Sequence, residues 1–132
     1  MSSKTSRPPS AAMGALPVAT VGYCYGGSLS FLAASRLPVR CSVAYYGGQI
    51  PRWMDEMTPA APVQLHFAEN DRFIAPGDIE KVRRAFGERD FYTYDAGHGF
   101  NCEDRDDFDP VAARLALVRT LRFLDRALLG AA

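Results

Sequence analysis

Apolar and polar positions along this chain fall into two periods that take turns. Short β-branched or aromatic runs at Val18 to Tyr23, Val39 to Tyr46, Val63 to Ala68 and Phe91 to Tyr94 read as strands. Helical patterns separate most of them. Gly26 to Ser35 is small and apolar, with Leu29, Leu32 and Ala33 on one face, and Arg36 to Pro38 stop it. Ile79, Val82 and Phe86 give the apolar face of a second helix that ends at Gly87. Asp109 followed by Pro110 reads as an N-cap and first helical position, opening a helix through about Leu129. In that helix Val111, Leu115, Val118, Leu121, Leu124 and Leu128 form the expected buried stripe, leaving Arg114, Arg119, Arg122 and Arg126 solvated. Alternating strands and helices without an internal repeat imply an α/β fold on a parallel sheet. Pro51 to Pro62, carrying Trp53, Met54 and Met57, is expected to be an irregular loop or short helix that lines a pocket, packs an interface or covers the core.

The turn after the first strand carries chemistry. Gly22-Tyr23-Cys24-Tyr25-Gly26-Gly27 joins an apolar run to a helix start, and glycines on both sides of Cys24 allow a turn sharp enough to push its side chain outward. A thiol placed there meets the positive end of a helix dipole and free backbone N–H groups, which favour thiolate and can receive an oxyanion. Two later strands also end in candidate groups. Val63 to Ala68 runs into Glu69-Asn70-Asp71, and Phe91 to Tyr94 runs into Gly97-His98-Gly99. Taken singly, Cys24 reads as a small buried hydrophobe, Asp71 as a cap and His98 as a turn residue. Together they give nucleophile, acid and base, each just past a strand, in the α/β-hydrolase order.

These segments, with Tyr45-Tyr46-Gly47, Ile74 and Ala96-Gly97-His98-Gly99-Phe100-Asn101, make the chain from about Val18 to about Leu129 resemble the dienelactone hydrolase family. That resemblance implies a Cys24, Asp71 and His98 triad opening an enol-lactone or ester bond. It also implies a partial α/β-hydrolase fold of about four mostly parallel strands with flanking helices, because in the family about half of the fold precedes the nucleophile. From that half the family draws a second oxyanion donor, an acidic residue that helps to ionise the cysteine and an arginine that holds a substrate carboxylate. A further family arginine, four residues past the histidine, is Cys102 in this sequence.

Composition narrows the remaining classes. The 132 residues are 48% hydrophobic, with fifteen basic and fifteen acidic side chains and zero formal net charge. That suits one domain, residues 17 to 130, after a Ser, Ala and Pro-rich tail at 1 to 16, and it gives no basic footprint for nucleic acid or anionic lipid. No secretory leader pattern and no apolar run near the roughly 18 residues of a membrane span are present, so a soluble cytoplasmic protein is expected. Three widely spaced cysteines make no disulfide framework; Cys41 reads as core and Cys102 as a surface thiol or a site-lining one.

The chemistry expected at the site follows. His98 takes the Cys24 proton, Asp71 holds the imidazole, the Tyr25 backbone N–H receives the oxyanion, and Tyr46, Trp53, Phe73 and Phe100 are the pocket candidates. No cofactor is called for. Zinc binding by His66, His98, Cys102 and Glu103 lacks ligand spacing, and thiol redox chemistry lacks a Cys-x-x-Cys pair. The competing reading is a catalytically inactive binding or subunit-interaction module that keeps the elbow. The uncharged Val18 to Tyr23 strand lacks the outer neighbour it has in the family, so a homodimer through that edge is expected to complete the sheet.

Overall fold

A computed structural model describes residues 16–130. Positions 1–15, most of the expected tail, lie outside the described residues. Four parallel strands form one sheet in chain order: β1 (Ala19–Tyr23), β2 (Cys41–Tyr45), β3 (Val63–Ala68) and β4 (Phe91–Tyr94). The register is continuous across them, pairing Tyr23 with Tyr45, Tyr45 with His66 and His66 with Tyr92. Helix α1 (Tyr25–Arg36) crosses from β1 to β2, the short α2 (Ile50–Trp53) follows β2, α3 (Pro76–Phe86) crosses from β3 to β4, and α4 (Pro110–Leu129) ends the chain. Among the described residues no helix is long and apolar enough to cross a membrane.

One sheet face carries α1 and α3, which meet through Phe31 and Phe86 with ring centroids 5.9 Å apart. The buried positions of α1 are Gly27, Ser28, Ser30, Phe31, Ala33 and Ala34, whereas Leu29, which the sequence groups on one face with Leu32 and Ala33, is 43% exposed. Small residues bring α1 close to the sheet, and the buried hydroxyls are satisfied there. Thr20 bridges Ser30 and Ser42 at 2.7 and 2.6 Å, and Ser28 Oγ accepts the Gln49 N–H at 2.9 Å. In α3 the expected face is found, with Ile79 and Val82 buried and Gly87 closing the helix at φ 81°.

Helix α4 covers the other face, and there the expected stripe is wrong. Asp109 caps its N-terminus through the Val111 and Ala112 N–H groups as the sequence implies, yet the buried residues are Ala112, Ala116, Thr120 and Phe123. Val111, Leu115, Val118 and Leu121 are exposed, while Leu124 and Leu128 are partly buried against the core. The cause lies in the sheet. Its α4 face is filled by Tyr45, His66, Tyr94 and Phe100, and opposite these rings the helix presents the small Ala112, Ala116 and Thr120. Arg119, expected to be solvated, instead lays its guanidinium over the Tyr92 ring at 4.1 Å.

Under α4 a buried polar chain ties helix to sheet. Gln64 Nε2 donates to the Arg119 carbonyl at 3.2 Å, which orients the amide so that Oε1 accepts from His66 Nε2 at 2.7 Å. His66 Nδ1 is then the acceptor for the Tyr94 hydroxyl at 2.8 Å, and the ring stacks on Tyr45 at 4.5 Å. His66 is therefore neutral. Burial, aided by the Arg119 charge, lowers its pKa to about 3.

Candidate active site

All three candidate groups lie in the turns that follow the C-terminal ends of β1, β3 and β4. Cys24 is the N-cap of α1 and holds φ 58° and ψ −124°, a conformation that a non-glycine residue adopts only where its surroundings enforce it. Its N–H donates to the Tyr45 carbonyl at 3.1 Å, and its carbonyl accepts from Gly27 at 2.9 Å. The glycines divide the work unevenly. A Cβ at Gly22 would overlap the Gly26 carbonyl, and one at Gly27 would overlap the Tyr45 carbonyl, but one at Gly26 would meet nothing within 4 Å. Close backbone approach at Gly22 and Gly27 therefore makes the elbow. Among the described residues the Tyr25 N–H donates to no backbone carbonyl, which leaves it free at the helix start.

Asp71 and His98 meet directly. His98 Nδ1 lies 2.6 Å from Asp71 Oδ2, and the carboxylate side chain has no exposed surface. The other oxygen, Oδ1, accepts from the Phe73 and Ile74 N–H groups at 2.7 and 3.0 Å, so the turn after β3 aims the acid. With Nδ1 so engaged, Nε2 is the nitrogen left to exchange a proton. The imidazole rests on Tyr46 at 4.9 Å between ring centroids and meets the edge of Phe73 at 5.0 Å.

The four pocket candidates separate by exposure. Phe73 is 68% exposed and lies beside His98. Trp53 is half-buried and meets Tyr25 edge to face at 6.3 Å. Tyr46 and Phe100 are buried and packed on each other at 5.1 Å, with Tyr46 against the imidazole. The Tyr46 hydroxyl accepts the Asn101 N–H at 3.3 Å, fastening the histidine loop to the end of β2. Burial raises the Tyr46 pKa well above the ordinary phenol value.

Electrostatics at Cys24 differ from the expectation of a ready thiolate. Burial raises its pKa, opposed by the Arg105 charge and assisted by Cys102 and Asp71. Among the described residues its thiol makes no hydrogen bond. Cys41 is buried and Cys102 exposed. His66 belongs to the α4 network, away from His98, and among the described residues no three His, Cys, Asp or Glu side chains gather as a metal ion would need. Arg105, the charge that opposes burial at Cys24, is a residue that the sequence does not single out. Its one signal there is to be the sole cation in the acidic stretch from Asp95 to Asp109.

A parallel sheet with a strained cysteine elbow and an acid-held histidine at its carboxyl ends defines a partial α/β-hydrolase fold. The dienelactone hydrolase family model matches residues 11–128, and the chain belongs to that family. It is 33% identical over 113 residues to a carboxymethylenebutenolidase of Pseudomonas sp. (strain P51), covering 83% of this chain and 48% of that protein. A carboxymethylenebutenolidase 1 of Cupriavidus pinatubonensis is 32% identical over 112 residues, covering 81% and 47%. The chain thus spans about half the length of the curated relatives it matches. A solved structure from Klebsiella pneumoniae, provisionally described as a dienelactone hydrolase, superposes with a TM-score of 0.67 at 22% identity, over 82% of this chain and 51% of that one. A Pyrococcus horikoshii acylaminoacyl peptidase shares the fold at TM-score 0.55 and 14% identity, over 85% and 24%.

Proposed function

We propose that this chain hydrolyses a lactone or ester bond through Cys24, His98 and Asp71. The 2.6 Å bond between Asp71 and His98 carries the reading, because it fixes which imidazole nitrogen is free for the thiol. His98 Nε2 takes the Cys24 proton as the sulfur attacks the acyl carbon. The Tyr25 N–H receives the developing oxyanion, and His98 returns the proton to the leaving oxygen. Water activated by the same nitrogen then cleaves the thioester. The name carboxymethylenebutenolidase borne by the relatives directs the substrate assignment to an unsaturated lactone or a related ester.

Because burial raises the Cys24 pKa, His98 has to remove the proton as attack proceeds. The Tyr25 N–H is the oxyanion donor that the described residues offer, and loss of one such donor costs about 10² to 10³ in rate. A catalytically inactive interaction module is the second reading, favoured by the absence of a hydrogen bond at the Cys24 thiol among the described residues. Hydrolysis of small activated esters by wild type, Cys24→Ala and His98→Ala decides between them. Loss in both variants supports the hydrolase; equal rates in all three support the module.

The proposal extends to assembly and place. β1 is an edge strand whose Val21 and Tyr23 are 40% and 45% exposed, with no charged residue in it to deter pairing. A second copy related by a two-fold axis covers both edges at once and extends the two sheets into one. The cytoplasm is the compartment we assign, because three free cysteines, one of them a nucleophile, are kept reduced there.

A further inference from the structure

Asp71 and His98 come from two separate turns, residues 69–73 after β3 and residues 95–109 after β4, so their 2.6 Å bond is only as steady as the join between those turns. On the strand side the join is made by backbone and amide. The Glu69 and Asn70 N–H groups donate to the Tyr94 and Ala96 carbonyls at 2.8 and 3.0 Å, and Asn70 Nδ2 donates to Asp95 Oδ1 at 2.8 Å. Beyond Asp71 the turns are joined by an ion pair, in which Arg72 Nη2 donates to Asp107 Oδ2 at 3.3 Å. The acid therefore lies between two residues that are each tied to the histidine turn.

Asp107 is lodged beside the base. It lies against Gly97, the residue before His98: a Cβ there would stand 2.7 Å from its Oδ1 and 2.8 Å from its Cγ, so the carboxylate occupies space that only a glycine leaves open. Its side chain is 32% exposed, against 72% for Arg72. The contacts close a ring. Asp107 packs on Gly97, Gly97 precedes His98, His98 bonds Asp71, Asp71 precedes Arg72, and Arg72 returns to Asp107. Arg72 also sets its guanidinium 5.8 Å from the centre of the Phe73 ring, and Phe73 meets the imidazole edge to face at 5.0 Å. An ion pair this exposed adds little to folding stability. Alignment is a more sensitive quantity, because a small displacement of a base from its reacting partner is costly in rate.

We propose that Arg72 and Asp107 are positioning residues, an ion pair that clasps the acid turn to the histidine turn and holds the His98 imidazole in register with Asp71. The inference rests on His98 as the base of the proposed hydrolase and names what keeps that base aligned. Neither member of the pair takes part in the chemistry. Because the pair faces solvent, salt weakens the clasp.

The test has two readouts on the full chain. In steady-state hydrolysis of phenyl acetate, Arg72→Met and Asp107→Asn are each expected to lower kcat about three- to tenfold with KM unchanged, and the double variant to fall no further than either single one. Arg72→Lys restores most of the rate. About 0.5 M sodium chloride lowers kcat in the wild type and leaves it unchanged in Arg72→Met. The second readout needs no turnover: the downfield proton resonance of the His98 Nδ1–H, assigned by its loss in His98→Ala, is sharp in the wild type and broadens through faster exchange with water in both single variants. Thermal unfolding verifies that the variants fold. An unchanged kcat with an unchanged resonance in both single variants would overturn the proposal. Losses that add in the double variant would overturn it as well, because the two residues would then act separately, and a raised KM at constant kcat would make them substrate contacts instead. A resonance that broadens in both variants of a protein that hydrolyses no ester would uphold the clasp and defeat the hydrolase reading.

Discussion

Asp71 holds His98 with one carboxylate oxygen, 2.6 Å from Nδ1, and anchors itself with the other through the Phe73 and Ile74 N–H groups. The acid is thereby fixed before it fixes the base. Asp71→Asn keeps the backbone turn, because an amide oxygen still accepts from both N–H groups, but its NH₂ presents a donor to Nδ1. That favours the tautomer with the proton on Nε2, which cannot take one from Cys24. Steady-state hydrolysis is expected to fall by about 10⁴ in kcat with little change in thermal midpoint. An activity loss below about tenfold would mean that the pair is structural.

The elbow makes a sharp distinction between two glycines four residues apart. A Cβ at Gly22 would overlap the Gly26 carbonyl, whereas one at Gly26 would lie in open space. Gly22→Ala is expected to destabilise the chain by about 3 kcal/mol or more, through overpacking at a backbone contact. Gly26→Ala is expected to change stability by less than about 1 kcal/mol, with a favourable share from helix propensity at the start of α1. Urea unfolding of both variants measures the difference, and equal losses would show that the elbow is not closed by this contact.

Acid should loosen the α4 side of the sheet. His66 has a folded pKa of about 3, below its ordinary 6.5, because it is buried and neutral. A depressed folded value means that the unfolded chain binds the proton first, so stability is complete above about pH 6.5 and declines as pH falls toward 3. Between pH 6.5 and 4.5 the loss from this one group is about 2 kcal/mol. Denaturant midpoints at the two pH values measure it. His66→Gln, which retains a donor and an acceptor, is expected to remove that part of the pH dependence, and an unchanged dependence would acquit His66.

The β1 edge governs assembly. Light scattering at micromolar concentration is expected to give a dimer for the wild type, and Val21→Lys, which places a charge on the exposed side of the edge strand, is expected to shift it to monomer. A wild-type monomer would refute the homodimer. Obligate co-purification with a different polypeptide would point to a complementary half instead.

The strands, three of the helices and the order of Cys24, Asp71 and His98 are legible in the sequence because each is a local pattern: a β-rich run, a cap, a glycine-flanked reactive residue. The inward face of α4 is not. Leucines at helical spacing mark Val111, Leu115, Val118 and Leu121 as the core stripe, but the residues that face the sheet are Ala112, Ala116 and Thr120. Which of its apolar positions turn inward depends on the bulk of Tyr45, His66 and Tyr94 beneath the helix, a fact held in other segments of the chain. The contact between Tyr46 and His98, which lie 52 residues apart, and the burial of Tyr46 and Phe100 are likewise decided by packing.

Acyl transfer to Cys24 can be observed directly by intact-mass and peptide mass spectrometry during turnover of a small activated ester. An acyl adduct should appear on Cys24 in the wild type and decay as product forms. His98→Ala should form it far more slowly, and Cys102→Ala should behave as wild type. Ester hydrolysis undiminished in Cys24→Ala, or an adduct that forms on Cys102 and not on Cys24, would contradict the assignment of Cys24, His98 and Asp71 as the machinery of this chain.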